Sequence, residues 1–135
     1  MSYAMSAALQ SAVYDRLIGN AALGALVGDD IFDALPPGPL PGLYVTLGAE
    51  TVRDASDGTG HGAWHDLTVA VVTDAAGFHM AKTVAAAASD ALIDAGLVLS
   101  RGRLVSLNFR RARARRESGG RRRIDMTFRA RVAED

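Results

Sequence analysis

The chain has 135 residues, a formal net charge of zero and no cysteine. Its length predicts a single domain spanning residues 1–135 that can bury a core without disulfides, and the lack of cysteine excludes thiolate chemistry. Hydrophobic residues make up 49% and the mean hydropathy is +0.10, which favours a globular domain over a disordered chain. The N-terminal segment lacks the pattern of a signal peptide, and no run of eighteen apolar residues occurs, so we expect no membrane contact.

The charges are divided unequally along the chain. Residues 1–100 hold eleven acids against Arg16, Arg53 and Lys82, a formal charge of −8, whereas residues 101–135 hold twelve arginines against four acids, a formal charge of +8. Eight of those arginines lie in the stretch RRARARRESGGRRR, residues 110–123. Such asymmetry favours either contact with nucleic acid or head-to-tail self-association, in which the basic face of one copy meets the acidic face of the next.

The first half of the chain predicts a helix followed by two strands. Residues 6–18 have an apolar stripe at helical spacing, with Ser6 as the expected N-cap, and a short second turn follows Asn20. The four prolines lie between residues 36 and 41 and predict an ordered extended crossing. The β-rich segments 43–50 and 65–74 predict strands, and the glycine-rich segment 51–64 between them predicts a long mobile loop.

The second half predicts a helix over 75–95 and a pair of strands. Asp74 is the expected cap of that helix and Gly96 its expected stop. A third strand would place Val105, Leu107 and Phe109 on one face, and the fourth alternates cleanly from Ile124 to Val132. The order α-β-β-α-β-β indicates an α+β domain: a four-stranded, mostly antiparallel sheet with two main helices packed on one face.

The sequence contains no arrangement typical of an enzyme or a metal site. His61 and His65 are four residues apart, a spacing that joins their rings only on a helix, and their surroundings are not helical. The segment GTGHG lacks the lysine and the context of a phosphate loop, and no serine lies in a nucleophile elbow. We therefore expect no catalytic residue, no cofactor and no metal, and no enzymatic activity.

The arginine stretch is the strongest candidate for an interaction surface, as a hairpin that turns through Glu117-Ser-Gly-Gly120. It has no aromatic residue on which a single-stranded base could stack, and arginine pairs with carboxylates as well as with phosphates. Without a bulge, Arg111, Arg113 and Arg115 would share the face of the apolar residues before them. Either the hairpin projects beyond the core or a bulge resets the register. We expect a projecting hairpin over residues 110–123.

Trp64, the only tryptophan, is either an anchor of the sheet or an interface anchor. The candidate interface residues are Arg53, Trp64, Arg110, Arg111, Arg113, Arg115, Arg116, Arg121, Arg122 and Arg123.

The order of these segments resembles the tail-completion, or tail-terminator, family of long-tailed bacteriophages and phage-like gene transfer agents, with the alphaproteobacterial gene transfer agent version the most similar. The resemblance is carried by VGDDIFDALPPG leading into LYVTLG, and by AGFHMAKTVAAAASDAL leading into the last two strands. Its specificity lies in the linear order of the pieces and not in a single motif.

The resemblance implies an α+β subunit that assembles as a ring, typically of six copies, on the last ring of the tail tube. Such a ring stops growth of the tube and joins it to the head-completion, or stopper, proteins, while double-stranded DNA passes through its lumen without sequence readout. The expected location is the tail of the assembled particle, at the head-tail junction, and the host cytoplasm during assembly. Two alternatives stay open: a small nucleic-acid-binding protein that uses the arginine hairpin, and a head-completion or adaptor ring of the same junction.

Overall fold

A computed structural model describes residues 3–56, 58, 60–93 and 96–134. Within them lie three helices, α1 (Ser6–Ile18), α2 (Ala21–Val27) and α3 (His79–Leu92). The strands are β1 (Ile31–Phe32), β2 (Leu43–Asp54), β3 (His61–Thr73), β4 (Arg103–Arg116) and β5 (Arg122–Glu134).

The strands form one sheet in the order β1-β2-β3-β5-β4. β1 pairs in parallel with β2, and the other pairs are antiparallel. The predicted α+β class is confirmed, but the predicted count of four strands is wrong, because β1 adds a fifth. A strand of two residues is too short to show alternation, so periodicity could not reveal it.

The helices cover one face of the sheet, and the core lies between them. The predicted stripe of α1 is buried at Leu9, Val13 and Leu17. Alanines at 81, 85 and 88 of α3 are also buried and let that helix lie close to the strands. The inward set of β5 is buried as predicted, with Phe128 fully buried. Each large apolar side chain that is fully buried contributes about 1.5–3 kcal/mol to folding.

The predicted helix caps differ from those in the structure. Met5 is the N-cap of α1 and makes no side-chain capping bond, while the Ser6 hydroxyl donates instead to Glu50. Helix α3 begins at His79, after Phe78, and not at the residue following Asp74; it ends at Leu92, before Gly96. Asp94 and Ala95, inside the predicted helix 75–95, lie outside the described residues.

The predicted loop 51–64 is mostly strand. Residues 51–54 extend β2 and pair with residues 63–66 of β3, so the connection is confined to residues 55–60. Asp57 and Thr59 of that connection lie outside the described residues. The prediction was wrong because glycine was taken as a sign of a loop. Gly62 lies within β3, where a Cβ atom would be 3.1 Å from the Val132 carbonyl oxygen. This glycine permits a close approach of two strands.

Candidate protein-interaction surface

The arginine stretch forms the two arms and the turn of the β4–β5 hairpin. The arms pair as far as Arg116 with Arg122, and the Glu117 amide donates to the Arg121 carbonyl at 2.7 Å. Gly119 and Gly120 both have positive φ, which suits glycine at this turn. The β5 arm also pairs with β3 as far as Arg122 with Thr73. The hairpin thus lies at the edge of the sheet, and only its turn passes beyond the end of β3.

A bulge at Arg110 decides which way the arginines face. Phe109 pairs with Phe128 but Arg111 pairs with Thr127, so Arg110 is an extra residue in β4. After it, Arg111, Arg113 and Arg115 share the face of Asp125, while Ala112 and Ala114 take the opposite face. Of the two arrangements that the sequence allows, the bulge is the one observed.

The prediction that Val105, Leu107 and Phe109 all face the core is wrong, because β4 has a second bulge at Val105. Leu104 pairs with Val132 and Ser106 with Arg131, which leaves Val105 unpaired. Its side chain is 51% exposed and that of Phe109 is 46% exposed, so only Leu107 of the predicted set is buried. Phe109 still packs edge-on against Phe128, with ring centroids 5.8 Å apart.

Four of the hairpin arginines make contacts within the chain. Arg115 and Arg123 both reach Asp125, at 3.5 and 2.8 Å. Arg121 donates to the Pro41 carbonyl and lies over the Tyr44 ring, and Arg122 donates to the Ala75 carbonyl and lies over Phe78. These side chains hold the turn against the sheet. Most of their partners are distant in the sequence, so the sequence alone does not predict this role.

The other four hairpin arginines are exposed and lack a carboxylate within ion-pair distance among the described residues. We call them the basic edge, because all lie on β4, the last strand of the sheet. The basic edge consists of Arg110, Arg111, Arg113 and Arg116.

Trp64 lies on the helix-free face of the sheet, among arginines. Arg53 pairs with it across β2 and β3, and the guanidinium carbons of Arg53, Arg129 and Arg131 are 5.8, 5.8 and 5.0 Å from its ring centroid. Such cation–π contacts contribute about 0.5–1 kcal/mol each at exposed sites. Trp64 lies nine positions before Thr73 on β3, and Thr73 is the partner of Arg122. Nine steps along a strand span about 30 Å. Thus the structure places Arg53 and Trp64 together but away from the hairpin turn.

Asp66 partly neutralises this face. Arg129 donates two hydrogen bonds to its carboxylate, at 2.8 and 3.3 Å. Those bonds hold the pKa of Asp66 below its ordinary value, against the opposing effect of burial. Asp66, Arg110, Arg111 and Arg129 also line a polar groove of about 430 Å³ that crosses the helix-free face. An arginine-rich groove of this kind suits carboxylate or phosphate groups of a partner.

A partly buried polar cluster beneath the N-terminal helix was not predicted. The Glu50 carboxylate accepts hydrogen bonds from the hydroxyls of Tyr3 and Ser6, at 2.8 and 2.7 Å. Its other oxygen lies 3.2 Å from Nδ1 of His65, a residue that is fully buried. Because an ionised carboxylate only accepts, Nδ1 carries the hydrogen. Pairing of β2 with β3 creates this cluster, and nothing in the local sequence signals it.

The residues that the structure describes were searched for metal sites and for helices that could span a membrane. Within them, no group of three or more histidine, aspartate or glutamate side chains is arranged to hold a metal ion. No helix among them combines the length and apolar character needed to span a bilayer.

Comparison with known proteins places the chain in a family. Residues 11–133 match the family described as tail completion protein gp17. A chain from the solved structure titled "Virion of native gene transfer agent (GTA) particle" is similar over 98% of this chain and 99% of its own length, with 62% identity and a TM-score of 0.93. The curated proteins yielded no match. The chain therefore belongs to the tail completion protein gp17 family.

Proposed function

We propose that this protein is a structural component of a phage-like particle, which forms a ring that ends the tail tube and joins the tail to the head-completion proteins. The main support for this function is the family match over residues 11–133. The 62% identity to a chain of a gene transfer agent virion adds to it. Those two findings support a tail protein of an assembled particle. The ring, its position at the head-tail junction and its partners are proposed in addition to these findings.

The distribution of charge supports self-assembly into a ring. A ring of identical subunits needs two different surfaces that fit each other. The chain carries opposite formal charges in residues 1–100 and 101–135 and is neutral overall, so copies can associate without accumulating net charge. Double-stranded DNA would pass through the lumen without sequence readout. We expect the arginines to face protein carboxylates, since many phosphate contacts would bind passing DNA tightly.

The location of the protein in purified particles tests this proposal. A peptide tag added after the last residue can be marked with gold-labelled antibody and viewed by electron microscopy. We expect the label at the junction between head and tail. Label along the tube, at the distal end, or nowhere on the particle would contradict the proposal. The C-terminal position is suitable because β5 ends at the neighbouring Glu134, away from the hairpin turn.

The exposed arginines also allow a second function, binding of nucleic acid by the basic edge. That alternative predicts a monomer whose affinity for unrelated DNA falls steeply with salt concentration. A filter-binding or anisotropy titration at two salt concentrations tests it. An affinity that is weak at physiological salt would leave the structural role as the sole proposal.

A further inference from the structure

A group of exposed aspartates lies at the edge of the sheet opposite the basic edge. The basic edge lies on β4, the last strand, and β1 is the first strand. Four strand spacings separate the two, about 19 Å in a flat sheet. Asp29 and Asp33 flank β1, and both are exposed. These exposed aspartates are therefore separated from the basic edge by the width of the sheet.

The acidic side includes the neighbouring helix. Asp15 is exposed on α1, and Asp15 and Asp33 line the same groove, of about 660 Å³. Asp33 accepts a hydrogen bond from the neutral side chain of Gln10 at 2.5 Å. Within the described part of the chain, none of the three aspartates has a basic side chain at ion-pair distance. We call Asp15, Asp29 and Asp33 the acidic rim.

We propose that the basic edge of one copy docks on the acidic rim of the next copy. This inference rests on the proposed function, because it names the surfaces through which the ring would form. The two surfaces are oppositely charged and exposed, and among the described residues their side chains form no salt bridge. Arginine and carboxylate groups form short, bidentate hydrogen bonds, which give such a contact direction as well as attraction.

The position of the two surfaces makes the contact heterologous. Each copy would use β4 toward one neighbour and the β1 side toward the other, so copies add head to tail and close into a ring if the rotation permits. The arginines would have a second effect on free subunits. β4 is a strand of 14 residues at the sheet edge, and charged side chains on such an edge oppose uncontrolled strand pairing.

Engineered cysteines test the contact directly, because the natural sequence has none. The first pair is Arg113→Cys with Asp33→Cys in one chain, and the second pair is Arg111→Cys with Asp29→Cys. Particles containing either double variant are treated with a flexible bis-maleimide and analysed on a denaturing gel. We expect a ladder of linked copies from a double variant, and monomers from each single variant.

Two results of the cross-linking experiment would overturn the inference. A dimer from Arg113→Cys alone would show that two basic edges meet, which is an isologous contact. Monomers from both double variants would show that the edge and the rim are apart in the particle.

Charge exchange gives an independent test in cells that make the particles. Arg111→Glu with Arg113→Glu should reduce joined particles by about tenfold or more, because like charges would then meet. Asp29→Arg with Asp33→Arg should do the same. A chain with all four changes should recover, and so should a mixture of the two double variants, whose subunits can alternate.

The controls separate assembly from folding and from nucleic-acid binding. Lys82→Glu reverses an exposed charge on α3 and should leave particle yield unchanged, and denaturation of each purified variant should show a wild-type midpoint. If the fourfold variant stays as defective as the arginine variant, the inference is wrong. If only the arginine variant is defective and it has also lost DNA affinity, nucleic acid is the partner of the edge.

The failure of this inference can be distinguished from failure of the proposed function. Failure of the function would appear as normal joined particles in a strain that lacks the gene. Failure of the inference alone would leave that strain defective and rescued by the wild-type chain, while the cross-linking or charge-exchange results disagree with the expected contact.

Discussion

Glu50 joins the N-terminal segment to the sheet through a single carboxylate. It accepts hydrogen bonds from Tyr3, Ser6 and His65. Burial raises its pKa, but the three hydrogen bonds outweigh burial, so the pKa lies below the ordinary value of 4.5. Because the folded-state pKa is depressed, the ionised group stabilises the fold fully above the unfolded value. That stabilisation is lost as pH falls through the folded value.

We expect Glu50→Gln to destabilise the fold near neutral pH and to weaken its dependence on acid. Loss of hydrogen bonds to a charged group costs about 1–3 kcal/mol in the free energy of unfolding. Urea denaturation at pH values between 7 and 3 measures both effects: below about pH 5 the wild type should lose stability more steeply than the variant.

The matched control is Asp90→Asn, which removes an exposed carboxylate from α3. It should leave the free energy of unfolding at neutral pH close to the wild-type value, because its side chain is exposed. A Glu50→Gln variant with the wild-type slope would show that the cluster does not stabilise the ionised carboxylate.

The bulge at Arg110 changes the face of the sheet on which the following arginines lie. Continuous alternation would place the arginines on the apolar face, and the extra residue at 110 moves Arg111, Arg113 and Arg115 to the face of Asp125. A bulge depends on the partner strand, so the sequence allowed it without specifying its position. The roles of the arginines depend on the same pairing, because Asp125 becomes the partner of Arg115 only in this register.

At the scale of elements, the turn before β4 is held by Gly102. Its φ is +72°, and a Cβ atom there would overlap Sδ of Met5 and lie 2.7 Å from the Ala133 carbonyl oxygen. We expect Gly102→Ala to cost about 1–3 kcal/mol, because alanine is strained at such a φ and the Ala133 backbone has little freedom to move. Thermal or urea denaturation measures the change.

A second glycine provides the opposite case. Gly24 lies within α2, and a Cβ atom there would meet nothing within 4 Å. Gly24→Ala should therefore raise the free energy of unfolding by up to about 1 kcal/mol, the difference in helix propensity. Equal effects of the two substitutions would contradict the local geometry at Gly102.

Periodic elements could be predicted from the sequence, and the exceptions have physical causes. The stripes of α1 and α3 and the alternation of β5 are long enough to reveal their buried faces. β1 was missed because two residues carry no period, and residues 51–64 were misassigned because Gly62 serves a close strand approach. The Glu50–His65 contact depends on strand register, which is a long-range property.

At the scale of the whole molecule, the separation of charge is the property on which the proposed contact between copies depends. Exposed arginines of the +8 segment lie on β4, and exposed aspartates of the −8 segment lie beside β1, at opposite edges of one sheet. A neutral subunit with two such edges has a built-in direction of association. Arg110 and Arg111 of the basic edge also line the polar groove on the helix-free face, together with Arg129.

The most direct test of the proposed function is electron microscopy of particles from a strain that lacks this gene, with tail length measured particle by particle. We predict headless tails of irregular and excessive length, because nothing would end the tube or present it to the head. Restoration by the wild-type chain is the control. Joined particles with tails of normal length would contradict the proposed function and would favour the binding of nucleic acid by the basic edge.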